Sequence, residues 1–342
     1  AKFADALTHY HKAIELDPSN YQAIYRRATT YLAVGRAKPG LTDLDTVLAQ
    51  KPDFSGARQQ RANVLFKMGK LSEAAHDFQH LIDHAENSKQ FADRLWLVEQ
   101  SQQNTELARH SYEAQDCEHV LETASKLLVE QPWNSELYLM RGHCFEKMGK
   151  LKEAIVELRH ASKHSTHNMQ LLFEISELQY KRAQIRGALS TIRECLKIDP
   201  DHKKCYGSYK NLRKVVKSLD AIKSTIDAQA WPKCLSSGEK LLKSHENDVA
   251  VRVNVAKMMC QCNRENGNIG AAIGDCNSAL EHDEDDVEAW ILRAEAYLAD
   301  EEHDLGWFFF IFFGVVQRNR VESVAVDRPC AVPYYSRLSS CS

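Results

Sequence analysis

Residues 4–20, ADALTHYHKAIELDPSN, read as an apolar-periodic helix closed by a proline. The arrangement returns in weaker form at 38–54 (KPGLTDLDTVLAQKPDF), 71–87 (LSEAAHDFQHLIDHAEN) and 151–168 (LKEAIVELRHASKHSTHN). Taking the punctuating residue after each such helix as a mark gives Pro18, Pro52, Glu86, Pro132, Thr166, Pro200, Glu246 and Glu284, separated by 34, 34, 46, 34, 34, 46 and 38 residues. Self-similarity at such periods is the signature of a repeat array. Twelve residues before the marks stand Ala6, Gly40, Ala74, Val120, Ala154, Ala188, Cys234 and Ala272, and twenty-four before stand Ala28, Ala62, Ala108, Gly142 and Ser176. A small residue at a fixed place on each of two helices lets their backbones approach closely.

The 34-residue helix–turn–helix period resembles a tetratricopeptide repeat. Parts of its signature are kept in Arg141-Gly142 with Phe145, and in Trp290 with Ala294 and Tyr297. Gly35, Gly69 and Gly149 end first helices, while Pro39 and Pro232 fall in first turns of second helices, where no donor is lost. The expected fold is therefore all-α: a right-handed superhelical solenoid with a half repeat, seven complete repeats and the first helix of a ninth. Each 46-residue interval adds twelve residues, about 18 Å of helix, to the first helices near Lys89–Tyr112 and Lys203–Asp227. This predicts three blocks of about three repeats, at 1–88, 89–202 and 203–304, joined by long helices.

Composition agrees with a helical array. The chain of 342 residues holds only 14 Gly and 8 Pro, and 44 basic residues against 47 acidic give a net charge of −3. That balance argues against general nucleic-acid affinity, which needs a basic surface. The longest apolar run, Leu305–Val316, is too short for the roughly 20 residues of a membrane helix. Lys203, Lys204, Lys210, Arg213, Lys214, Lys217 and Lys223 form a basic stretch, read as the solvated face of a long helix ahead of a site for RNA or an acidic partner. His76, His80 and His84 share one face, as do His160 and His164, and both sets are read as solvated stripes. No phosphate-cradling loop, Ser/His/Asp set or paired carboxylates emerge, so the chain is read as a non-enzyme without cofactor.

Ten cysteines are present. Cys195 and Cys205 flank the Pro200 turn, and Cys260 and Cys276 occupy the paired helices of the eighth repeat. Position alone leaves two bridges and two pairs of reduced core thiols equally open. Zinc is the weaker option, because Cys260, Cys262 and Cys276 supply three sulfurs without a fourth ligand.

The stretches NYQAIYRRATTYLAVG (20–35), IRECLKIDPDHKKCY (192–206) and AEAYLADEE (294–302), with the 34/34/46 rhythm, resemble the DnaJ subfamily C co-chaperones of the endoplasmic reticulum, chains with nine repeats and a C-terminal J domain. The resemblance runs from about Lys2 to Asp304. It implies a lumenal protein that binds unfolded clients through its repeats, passes them to the chaperone BiP through the J domain, and is linked to restraint of the stress kinases that act on translation initiation. It also implies disulfides Cys195–Cys205 and Cys260–Cys276. Residues 305–342 depart from it: they carry no repeat register and are expected to be disordered. No His-Pro-Asp occurs, so this chain is expected to hold clients without activating BiP.

By the same resemblance clients bind in the first block, where first-helix residues line the concave face. On the register these are Tyr25, Thr29, Leu32, Gln59 and Phe66; burial of Leu32 and Phe66 against neighbouring helices is the competing reading. The rival function is a cytosolic scaffold gripping the acidic C-terminal peptides of chaperones. It needs Lys and Asn on successive first helices, and only Asn63 and Lys67 supply them.

Overall fold

A computed structural model describes residues 2–84, 89–165 and 169–300. They form sixteen α-helices and, among the described residues, no strand. First helices of the repeats are α2 (Tyr21–Ala33), α4 (Ser55–Lys67), α6 (Lys89–Glu113), α8 (Ser135–Lys147), α10 (Met169–Lys181), α12 (Lys203–Asp227), α14 (Val249–Glu265) and α16 (Val287–Ala299). Second helices are α1 (Lys2–Leu16), α3 (Ala37–Gln50), α5 (Leu71–His84), α7 (Cys117–Glu130), α9 (Leu151–His164), α11 (Ile185–Ile198), α13 (Trp231–Ser244) and α15 (Ile269–Leu280). The chain is thus the helical solenoid of tetratricopeptide type that the spacing predicts. Two of the register marks, Glu86 and Thr166, and the segment 305–342 lie outside the described residues.

The irregular intervals are taken up in the first helices. Most of these have 13 residues, α6 and α12 have 25, and α14 has 17. Intervals of 46 and 38 residues are therefore a 34-residue repeat with twelve and four residues added to one helix. The turn between first and second helix is equally regular. Every described residue with positive φ sits seventeen residues before a mark: Gly35, Gly69, Gln115, Gly149, Ala183, Gln229 and Gly267. The left-handed conformation reverses the chain there, which Gly does without the penalty a Cβ brings. Second-to-first turns end in side-chain caps: Asn20, Asn134, Asp248 and Asp286 each accept a backbone N–H of their helix's first turn, typically about 1 kcal/mol each, and Asp116 does the same at the start of the second helix α7.

The small-residue positions form the seam. Ala28, Ala62, Ala74, Ala108, Ala154, Ala188 and Ala272 have no exposed area. A Cβ at Gly40 would stand 2.8 Å from Leu32 Cδ2, and one at Gly142 2.7 Å from Leu158 Cδ2. Large apolar side chains fill the space beside the seam, among them Leu44, Phe78, Leu158 and Ile175.

The chain separates into two compact units. The first comprises residues up to 182 with 186–210; the second comprises 183–185 with the residues from 211 on. Within the first unit, repeats that are not neighbours are tied at their turns. Trp133 N donates to Lys67 O at 3.0 Å, the Lys67 ammonium lies 5.4 Å from the Trp133 ring centroid, and Lys38 Nζ donates to Ser165 O at 2.5 Å. Gly69 is required twice at this tie: its φ is +77°, and a Cβ would fall 2.2 Å from Asn134 Nδ2.

Candidate functional site

On α2, Tyr25 is half-buried with its ring edge-on to Phe54 at 4.9 Å. Tyr21 meets the same Phe54 ring at 5.7 Å, and Lys51 covers the Tyr21 ring at 4.8 Å while donating to its hydroxyl at 3.2 Å. The lysine draws the Tyr21 hydroxyl below its ordinary value, through that hydrogen bond first. Phe54 is the residue before α4 and stacks two aromatics of the preceding first helix on the start of the next. Thr29 Oγ1 donates to Arg26 O of its own helix at 2.9 Å, and Gln59 is half-buried on α4.

Of the other residues on the register, Phe66 is buried and Leu32 is half-buried like Tyr25. Phe66 is 6% exposed and packs with Leu65, Leu71, Ala74 and Phe78, so it belongs to the core between α4 and α5. Leu32 is half-buried against Gly40 of α3. The reason is periodicity: Leu32 and Phe66 lie four residues after the seam residues Ala28 and Ala62, hence on the same helical stripe. The half-buried apolar residues of this region therefore include Tyr21, Tyr25, Leu32 and Phe54, all packed against one core cluster, of which the register names Tyr25 and Leu32. Aromatic residues just after the Pro18 and Pro52 turns, Tyr21 and Phe54, were the available signal for the other two.

Further along the first unit, three first helices are linked by polar side chains. Tyr112 Oη pairs with His143 Nδ1 at 2.7 Å, and His143 Nε2 with Glu174 Oε2 at 3.4 Å. The His143 hydrogen bond, opposed by burial and helped by Gln170, holds the Glu174 carboxyl below the usual carboxylate range. Arg109 grips Glu136 with two bonds, at 2.7 and 3.0 Å. Lys67, half of the only clamp pair on the register, is spent on Trp133.

The cysteines hold one bridge more than expected. The structure joins Cys195 to Cys205, Cys260 to Cys276 and also Cys234 to Cys262. The third bridge splits the sulfurs of the zinc option between two disulfides. Cys195, His202 and Cys205 present ligand atoms within 4.8 Å of one another, but both sulfurs are covalently joined and cannot serve as thiolates. On α5, His80 stacks on His84 at 4.2 Å; burial, then Arg58, pushes His80 below its ordinary value. The seven basic residues of 203–223 are all exposed along α12, and no described helix is long and apolar enough to cross a membrane.

Residues 135–163 match the tetratricopeptide repeat family. The crystal structure of the P58(IPK) TPR domain superposes with a TM-score of 0.71 at 32% identity, covering 96% of each chain. The DnaJ homolog subfamily C member 3 proteins of human and mouse are 35% and 34% identical over 306 residues, 89% of this chain. This chain belongs to the DnaJ homolog subfamily C member 3 family. It spans 61% of the length of those curated relatives. A more distant relative, the tetratricopeptide repeat and J domain-containing co-chaperone DNJ1 of Cryptococcus neoformans, is 24% identical and shares 88% of this chain and 63% of its own length. The DnaJ subfamily C member 3 family is one of non-enzymatic repeat co-chaperones, so its recognition surfaces are the functional parts of the fold.

Proposed function

We propose that this chain binds unfolded client segments along the first-helix face of α2 and α4, as the client-holding part of a co-chaperone in the endoplasmic-reticulum lumen. The observation that carries the reading is the cluster of Tyr21, Tyr25 and Phe54: three aromatic rings held edge-to-face at the rim of two repeats. Such rings offer apolar area with little rotamer entropy to lose on binding. Thr29, one turn after Tyr25 on α2, and Gln59, half-buried on α4, would supply polar groups for a client backbone. Three bridges support an oxidising compartment, as does membership of the family. Handover to a BiP-type chaperone would need a J domain, as in the longer relatives, and restraint of a stress kinase would use a further part of the repeat surface. Both rest on family membership alone.

The test is a Tyr21→Ser, Tyr25→Ser double variant. It is first shown by thermal melt to fold, then assayed for holding a denatured client from aggregation. Half-burial of two rings is worth about 1.5 kcal/mol or more, so client binding should weaken about tenfold. A folded variant that protects as well as the parent places the client surface elsewhere.

A further inference from the structure

Among the described residues two cysteines stand outside the three bridges: Cys117, half-buried, and Cys144, 1% exposed. Cys117 is the first residue of α7, and Cys144 lies in the last turn of α8. They share one core cluster with Tyr112, Val120, Leu137 and Met140, in which Cys117 packs from the partly exposed edge.

This placement repeats that of a bridge in the second unit. Cys234–Cys262 joins the second helix α13 to the following first helix α14. Cys117 and Cys144 likewise lie on a second helix and the first helix that follows it. Cys144 stands three residues before the end of α8 and Cys262 three before the end of α14. On the other side, Cys117 lies one helical turn nearer the start of α7 than Cys234 does in α13. Antiparallel helices at a register one turn away therefore already bring two sulfurs to bonding distance once in the chain.

We infer that Cys117 and Cys144 form a thiol–disulfide exchange site, whose substrate is a disulfide delivered by a small molecule or a protein partner. Cys117 is the accessible sulfur and attacks first. Its thiolate forms a mixed disulfide with one sulfur of the substrate and releases the other as a thiol. The Cys144 thiol then gives up its proton and displaces the second substrate sulfur. The chain ends with one S–S bond, and the substrate disulfide ends as two thiols. Burial, and after it a hydrogen bond with Cys117, push the Cys144 thiol up to about 12. Cys144 is thus silent toward solution and acts only as the resolving group. Closing the bridge pins α7 to α8 at the residue that follows His143, the middle member of the Tyr112–His143–Glu174 chain.

The experiment uses the full chain with its native bridges and supplies glutathione disulfide as substrate, so its outcome depends neither on the client reading nor on the compartment. Samples are acid-quenched, alkylated in denaturant and peptide-mapped. Cys117 and Cys144 should disappear together from the alkylated pool and reappear as one cross-linked peptide, which a mild dithiol reverses. Cys117→Ser should leave Cys144 fully alkylatable after the same treatment. Cys144→Ala should stop with one glutathione on Cys117. Two cysteines still alkylatable in the parent would overturn the inference. So would glutathione on Cys144 in the Cys117→Ser chain, or an unresolved adduct on Cys117 of the parent. The parent map decides the matter even if a variant fails to fold.

Discussion

Nine residues before its repeat mark, the hairpin α4–α5 carries Asp77, fully buried and bound by Arg61 at 2.6 and 2.7 Å and by Arg58 at 3.2 Å. The corresponding position of α14–α15 carries Asp275, which accepts from Asn263 Nδ2 at 2.8 Å. The first hairpin contains no cysteine. The second is crossed by Cys260–Cys276 and tied to α13 by Cys234–Cys262. The N-terminal pattern recurs: Arg27 with Asp43 and Arg141 with Glu157 span the same sixteen residues as Arg61 with Asp77. The repeat thus dictates helix length, turn and seam, and leaves open the chemistry that holds two helices together. Charge does it near one end and sulfur near the other.

The difference is open to attack at three points. Removing the carboxylate from the ionic clasp should have the largest effect. Asp77→Ala leaves two guanidinium groups facing a buried void, and breaking one side of a buried ion pair costs about 3–5 kcal/mol. Urea melts of the full chain should show that loss with native bridges intact. A loss below about 1 kcal/mol would mean that water reaches Arg58 and Arg61 freely.

Opening the covalent clasp should come next. Cys234→Ala with Cys262→Ala releases a 28-residue closure, worth about 3–4 kcal/mol in the chain-entropy account and often less in practice. The second unit should melt earlier while the hairpins α2–α5 keep their stability, and a reductant should reproduce this in the parent. Equal sensitivity of both regions to reductant would break the comparison.

The smallest effect concerns pH. Burial raises the Asp275 carboxyl above its ordinary value, against the hydrogen bond from Asn263. The folded state therefore binds this proton more tightly than the unfolded chain. Stability falls as pH rises from the ordinary aspartate value through the raised one, and the penalty is fully present at neutral pH. Asp275→Asn should then stabilise at pH 7 by less than about 1 kcal/mol, allowing for partial exposure. The gain should fade as the pH drops below about 4. Thermal melts across that range check it.

Much of this architecture was legible because small residues and punctuation recur at fixed distances. The left-handed turn residues obey the same register even where Gln115, Ala183 and Gln229 replace glycine, and the long helices fall where the 46-residue intervals require them. The candidate face was less legible. Distance from the register does not distinguish the two flanks of a helix, so it leaves Phe66 open between the client face and the core, and the core holds it, one turn after Ala62. Cys234 was hidden for a related reason: it fills a seam position where any small residue fits, so its sulfur carried no separate signal. The ionic clasps were visible at a spacing of sixteen but gain meaning only when burial is known, since most exposed pairs contribute little.

The turn-to-turn ties of the first unit bear on the order in which the molecule can come apart. In a simple array each repeat touches only its neighbours, so unfolding can travel inward from an end one repeat at a time. Here Lys67 is hydrogen-bonded to Trp133, and Lys38 reaches Ser165, 127 residues away in sequence. Losing α3 and α4 would strip partners from the turns after α7 and α9. A half-melted first unit, with α1–α5 gone and α6–α11 standing, therefore gives up these ties as well as the contacts between neighbouring repeats.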